Sequence, residues 1–278
     1  NYVGYEPKNI TVGNGSSELL DLCVKTFLDK NEMILSLDPT FSMYSIYAQV
    51  FSAKYVGAKT EDDFKLNVDS IIEDIQKNSP KLIILCNPNN PTGSVLTKEE
   101  VRKIVKSTDA LIALDEAYME FGDESLIDEV MNYDNLLIVK TLSKAFSLAG
   151  IRMGYIVANE DIINSIEKVR APYNLNSLST YIATEALRQK DRMYDYVKSI
   201  KEEREKMYKT LIDLGVKAYK SSANFIFFKS DIEDLQKKLI QKDVLIRKFS
   251  SKLEGFYRVS IGTKEQNQKF LEALKEVI

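Results

Sequence analysis

Through the first 160 residues, short runs of aliphatic and β-branched residues alternate with stretches of helical period, and this alternation constrains the fold more than any other feature. Apolar runs at 10–12, 33–37 and 82–86 are followed by helical patterns at 16–28, 43–51 and 97–105; further runs stand at 111–114, 136–140 and 155–158. Strands separated by helices are joined by crossovers and pair in parallel, and a parallel sheet covered on both faces needs strands that are apolar throughout. Leu82-Ile83-Ile84-Leu85-Cys86 meets that need. Thr97 with Glu100 three residues later reads as a capping box, hydroxyl and carboxylate each serving a backbone N–H that lacks a helical partner.

From about Ile162 the pattern turns helical. After a loop at 172–176 it reaches Lys201-Glu202-Glu203-Arg204-Glu205-Lys206, whose opposite charges recur at i+3 and i+4 and mark a solvated helix face. Beyond Gly215 the texture changes: strands are expected over 216–219, 224–228, 244–246 and 257–261, interleaved with helices over 232–241 and 264–277, the last opened by Thr263 and Gln266. These patterns predict an α/β large domain with a mostly parallel sheet at 1–170, linking helices at 171–214, and a small α+β C-terminal domain at 215–278.

At 278 residues the chain can bury a core without disulfides or a structural metal, so Cys23 and Cys86 are expected as reduced core residues. A net charge of −3 offers no positive field to nucleic acid or anionic lipid, and no apolar run approaches the roughly 18 residues that span a bilayer. With no signal peptide pattern, the expectation is a cytoplasmic protein that binds neither nucleic acid nor membrane. The decisive count is zero histidines. Ser-His-Asp and Cys-His catalysis, HExxH zinc sites and His-ligated haem all need an imidazole, so no metal site is expected and catalysis falls to Lys, Asp, Tyr, Arg or a cofactor.

Four polar segments each follow an expected strand, where the carboxyl ends of a parallel sheet converge and ligands bind. Gly13-Asn14-Gly15-Ser16-Ser17 is a strand-to-helix turn whose free N–H groups and dipole suit an anion, although ordinary turns share its composition. Asn87-Pro88-Asn89-Asn90-Pro91-Thr92-Gly93 is a rigid turn able to hold a side-chain amide at the sheet edge. Asp115-Glu116-Ala117-Tyr118 puts a carboxylate at the end of a buried strand, where it needs a partner, and a cation is expected. Thr141-Leu142-Ser143-Lys144-Ala145-Phe146 places a lysine in a water-poor setting that disfavours its charged form and exposes a nucleophilic amine; Arg152 follows.

In this order, NPNNPTG, DEAY, SKAF and GIRMGY resemble the fold-type I pyridoxal-phosphate enzymes, in the aminotransferase branch that includes the histidinol-phosphate aminotransferases. SKAFSLAGIRMGY and the loop Ala171-Pro172-Tyr173-Asn174-Leu175-Asn176 are most similar to that group. The resemblance implies pyridoxal 5'-phosphate bonded through its aldehyde to Lys144, which then serves as acid and base for the proton shift. It places Asp115 against the pyridine nitrogen, Asn90 and Tyr118 on the ring's phenolic oxygen, and Ser16, Ser17, Ser143 and Arg152 on the phosphate. Phe41 would stack on the ring, where many relatives carry tyrosine. Arg258 and Arg247 would meet the anionic end of the substrate, with Asn224 nearby.

The implied reaction is ping-pong transfer of the amino group of L-histidinol phosphate to 2-oxoglutarate, in a homodimer. Threonine-phosphate decarboxylase and an aromatic or aspartate aminotransferase are the alternatives, and a cofactor-sensing module without turnover is the reading from another class. Relatives carry an arm ahead of the phosphate turn, with a tyrosine that reaches the neighbouring subunit's cofactor. The sequence as given starts inside the segment that follows this arm, and neither Tyr2 nor Tyr5 matches that tyrosine.

Overall fold

The computed structural model describes residues 2–278. In chain order the first unit comprises Ile10–Gly13 (β1), Ser16–Phe27 (α1), Met33–Asp38 (β2), Met43–Val50 (α2), Lys54–Lys59 (β3), Val68–Asn78 (α3), Leu82–Cys86 (β4), Lys98–Lys106 (α4), Leu111–Asp115 (β5), Leu136–Thr141 (β6), Gly154–Ala158 (β7) and Glu160–Val169 (α5). Its seven strands are ordered β1-β7-β6-β5-β4-β2-β3. Only β7 runs against the others, antiparallel to both β1 and β6. Strands β4, β6 and β7 are buried at every residue, as a sheet covered on both faces requires. One face packs on α1, α2 and α5 through Leu19, Tyr44 and Ile163; the other packs on α3 and α4 through Ile71, Ile75 and Ile104.

Ser177–Arg188 (α6) and Lys190–Asp213 (α7) lead to Lys217–Ala218 (β8), Phe225–Lys229 (β9), Leu235–Ile240 (α8), Arg247–Lys248 (β10), Phe256–Ser260 (β11) and Lys264–Lys275 (α9). The second sheet is antiparallel throughout, ordered β10-β11-β9-β8. Both expected capping boxes form, Thr97 with Glu100 and Thr263 with Gln266.

Two strand expectations need correction. The strand expected over 244–246 lies instead at Arg247–Lys248: Val244 and Ile246 are buried, but the Ile246 carbonyl is taken by the side-chain amide of Gln236, and pairing begins only at Arg247 with Arg258. The pattern also passed over β3, an edge strand with a lysine at each end and partial burial. Such ends protect an edge from further pairing and mask its apolar pattern.

Phe64 joins the two units. It follows β3 and presents its ring edge-on to Tyr219, Phe227 and Phe256 of the smaller unit, at centroid distances of 4.9, 5.2 and 5.4 Å. Arg204 of α7, in the run expected to be solvated, is buried and donates to the carbonyls of Phe121 and Ala223.

Candidate active site

The carboxyl ends of β2, β4, β5 and β6 open onto a cavity of about 810 Å³, closed from the other side by residues 247–253 and Arg258 of the smaller unit. Its lining includes Ser16, Ser17, Phe41, Asn90, Asp115, Tyr118, Ser143, Lys144, Arg152, Arg247 and Arg258. Eleven of the twelve side chains singled out from sequence therefore meet in one place. Asn224 is not brought in: it precedes β9, and its carbonyl accepts from the Ile261 N–H at 2.8 Å.

At one end, Gly15 turns the chain from β1 into α1 with φ +85°, leaving the N-terminus of α1 beside Arg152. A Cβ on Gly15 would stand 2.5 Å from Arg152 Nη2, so only glycine lets the guanidinium lie against this turn. Arg152, itself in the left-handed region with φ +53°, donates to Ser143 Oγ at 3.4 Å and to the Ala149 carbonyl at 3.2 Å. Helix N–H groups, serine hydroxyls and a guanidinium together make a dianion site.

Asp115 closes β5 and is 4% exposed. No lysine or arginine among the described residues forms an ion pair with it. Its Oδ1 accepts from the Ala117 N–H at 3.1 Å and its Oδ2 from the Tyr44 hydroxyl at 2.7 Å, while Lys144 and Lys140 act at longer range. Burial raises its carboxyl above the usual range, against the pull of these hydrogen bonds and lysines. Tyr44 is the residue that sequence reasoning missed. The available signal was a helix, α2, whose buried positions carry Tyr44 and Tyr47 beside Ala48, so that a buried face ends in hydroxyls.

Lys144 Nζ lies 5.2 Å from the centroid of the Tyr118 ring. Burial lowers its pKa, reinforced by the charges of Arg258 and Arg152 and opposed by Asp115. Burial pushes the Tyr118 phenol up, so it stays a donor at neutral pH. Arg258 lies over the Phe225 ring, 4.9 Å from its centroid, and donates through Nη1 to Asn90 Oδ1. Its Nε is buried with no hydrogen-bond partner among the described residues. The two tyrosines near the start of the chain are engaged elsewhere: Tyr5 donates to the Ile127 carbonyl, and Tyr2 packs edge-on against Phe146.

A second set of buried charges lies behind the cavity. Lys140 Nζ contacts Glu116 Oε2 at 3.2 Å and Glu120 Oε1 at 2.9 Å, and Glu116 also accepts from Ser125. Strand alternation puts Asp115 on the cavity and Glu116 away from it, so adjacent carboxylates acquire different partners.

A dianion site, a buried carboxylate with acceptor capacity left over, and an amine held below the ordinary lysine value fit pyridoxal 5'-phosphate. The family model for aminotransferase class I and II matches residues 1–274. A histidinol-phosphate aminotransferase of Thermoanaerobacter sp. (strain X514) is 41% identical over 281 residues, spanning 100% of this chain and 80% of the relative. One from Clostridium novyi (strain NT) is 38% identical over 277 residues, spanning 99% and 78%. Among solved structures, the histidinol-phosphate aminotransferase of Clostridium acetobutylicum superposes with a TM-score of 0.91 at 29% identity, covering 100% of this chain and 86% of that one. The enzyme of the same name from Sinorhizobium meliloti, in complex with pyridoxal-5'-phosphate, shares the fold with a TM-score of 0.91 at 22% identity, covering 99% and 78%. Matched across nearly its whole length, in sequence and in fold, the chain belongs to the class I and II aminotransferases and is an α/β enzyme of pyridoxal 5'-phosphate.

Proposed function

We propose that this enzyme transfers the amino group of L-histidinol phosphate to 2-oxoglutarate, as a step of histidine biosynthesis, in a cytoplasmic homodimer. The observation that carries the substrate reading is a second anion site. Arg258 and Arg247 come from the smaller unit and line the same cavity as Arg152, and a buried Nε is left over on Arg258. One guanidinium set serves the cofactor phosphate and the other the anionic end of the substrate. The names carried by relatives near 40% identity agree with this reading.

Ser16, Ser17, Ser143 and Arg152 would hold the cofactor phosphate, Phe41 would cover the ring, and Asn90 and Tyr118 would hydrogen-bond its phenolic oxygen. When bound, the cofactor supplies an aldehyde that accepts the substrate amine and a ring that spreads the charge left on Cα. Asp115 would face the ring nitrogen and hold a proton there. Lys144 would hold the cofactor through its aldehyde carbon, and its free Nζ would carry the proton from the substrate's Cα to that carbon, on the far side of the transferred nitrogen. Arg258 and Arg247 orient the donor so that this proton faces Lys144.

Support for the dimer lies in an apolar surface on α6 and the loop before it, where Tyr173, Leu178 and Tyr181 are 98%, 74% and 68% exposed. Both cysteines are free and buried, as suits a reducing compartment. No helix among the described residues is long and apolar enough to cross a membrane.

The test is a panel of amine donors against 2-oxoglutarate, followed by the absorbance of the bound cofactor. L-histidinol phosphate is expected to give the largest kcat/KM. Preference for aspartate or phenylalanine, or carbon dioxide release from threonine phosphate in its place, overturns the substrate assignment.

A further inference from the structure

We propose that Tyr44 is a positioning residue of this active site: its hydroxyl, seated on Asp115 Oδ2, fixes the direction of that carboxylate and keeps it charged for the ring nitrogen of the cofactor. The inference rests on the reading that Asp115 faces that nitrogen. An ionised carboxylate has room for about four hydrogen bonds, and Asp115 receives two within the protein, one on each oxygen. Two donors on different oxygens, one from its own chain turn and one from α2, stop the carboxyl group from rotating. The remaining capacity faces the cavity that Asp115 lines.

Burial alone would favour the neutral acid, which could not hold a proton on the ring nitrogen, and the phenol opposes that tendency. Tyr44 is wholly buried, and both burial and the adjacent carboxylate hold its proton on, so it donates throughout the working pH range. Its mounting is firm. Tyr47, one turn along α2, donates to the Ser17 carbonyl at 3.0 Å, tying the same helix to the phosphate turn. Phe41 meets the Tyr44 ring edge-on at 5.6 Å and 86°. The segment expected to cover the ring face thus also grips the residue beneath its nitrogen.

The experiment compares the affinities of cofactor-free protein for pyridoxal 5'-phosphate and for its 1-deaza analogue, in which the ring nitrogen is C–H, using wild type and Tyr44→Phe. Wild type is expected to prefer the natural cofactor, and Tyr44→Phe to lose about tenfold of that preference, the scale of one hydrogen bond to a charged group. Its far-UV circular dichroism should be unchanged. No preference in wild type would remove the placement of Asp115 against the ring nitrogen, and the role of Tyr44 with it. A wild-type preference kept in full by Tyr44→Phe would overturn the role of Tyr44 alone. As a second variant, 3-fluorotyrosine at position 44 preserves shape and strengthens the donor, so it should keep or increase the preference. A loss equal to that of phenylalanine would show that ring packing, not the hydrogen bond, is responsible, and would also overturn the proposal.

Discussion

Lys144 is where the chemistry of single residues is most exposed to test. A lysine that must attack an aldehyde has to spend time as the free amine, and this one is held below the ordinary lysine value by burial first, then by Arg258 and Arg152. The sign of each change follows. In cofactor-free protein the rate of Lys144 acetylation, followed by peptide mass, should reach half its maximum below the usual 10.5. Arg258→Leu removes a repelling charge and should move that midpoint up; Asp115→Asn removes an attracting one and should move it down. A midpoint unmoved by Arg258→Leu would mean that the two groups do not share a cavity. Lys144, Asp115 and Arg152 were legible in sequence because they stand in short motifs that follow strands, whereas Arg258 and Arg247 were expected from the resemblance alone. Tyr44 was not, since its role is set by a partner 71 residues away.

At the scale of elements, the turn from β1 into α1 is the most constrained joint. Gly15 needs its positive φ, and the space its side chain would occupy belongs to Arg152. Gly154, opposite, is equally closed in: a Cβ there would lie 2.7 Å from Ser16 N and 2.9 Å from the Lys140 carbonyl. Gly15→Ala should therefore cost about 1–2 kcal/mol of stability through backbone strain. By displacing a charge-assisted contact it should also weaken cofactor binding by about tenfold or more. Thermal melting and cofactor titration check the two effects separately, and unchanged affinity would exclude this turn from the phosphate site. Elements with strong local signals, such as the capped helix α4 and the apolar strand β4, were readable to within a residue or two. The edge strand β3 and the displaced β10 were not, because their pairing is decided by neighbours rather than by their own patterns.

At the scale of the whole molecule, function depends on how the smaller unit is held over the sheet. Phe64 is the plug between them, enclosed by three aromatic rings from the smaller unit. Phe64→Ala should cost about 2 kcal/mol, less than a fully buried phenylalanine because Phe64 is only half-buried. Since Arg247 and Arg258 ride on that unit, the variant should raise KM for the donor more than it lowers kcat. A pure loss of kcat would place the plug's influence elsewhere. The exposed face of Tyr173, Leu178 and Tyr181 leads to a second expectation at this scale, a mass by light scattering of twice the 31.7 kDa of one chain. A single-chain mass at micromolar concentration would remove the homodimer.

By itself the sequence determined what local patterns can encode: alternating strands and helices, capped helix starts, two regions of different texture, and four polar motifs at strand ends. Burial period, capping and turn chemistry act between residues a few positions apart, so one chain displays them directly. The tertiary structure decided what depends on strand order and register. It drew Arg258 to Asn90 across 168 positions, set Tyr44 beneath Asp115, and turned Glu116 away to Lys140 while its neighbour faced the cavity. The last two pairings follow from the order β1-β7-β6-β5-β4-β2-β3, and the first from the smaller unit lying over the ends of those strands; no local pattern specifies either.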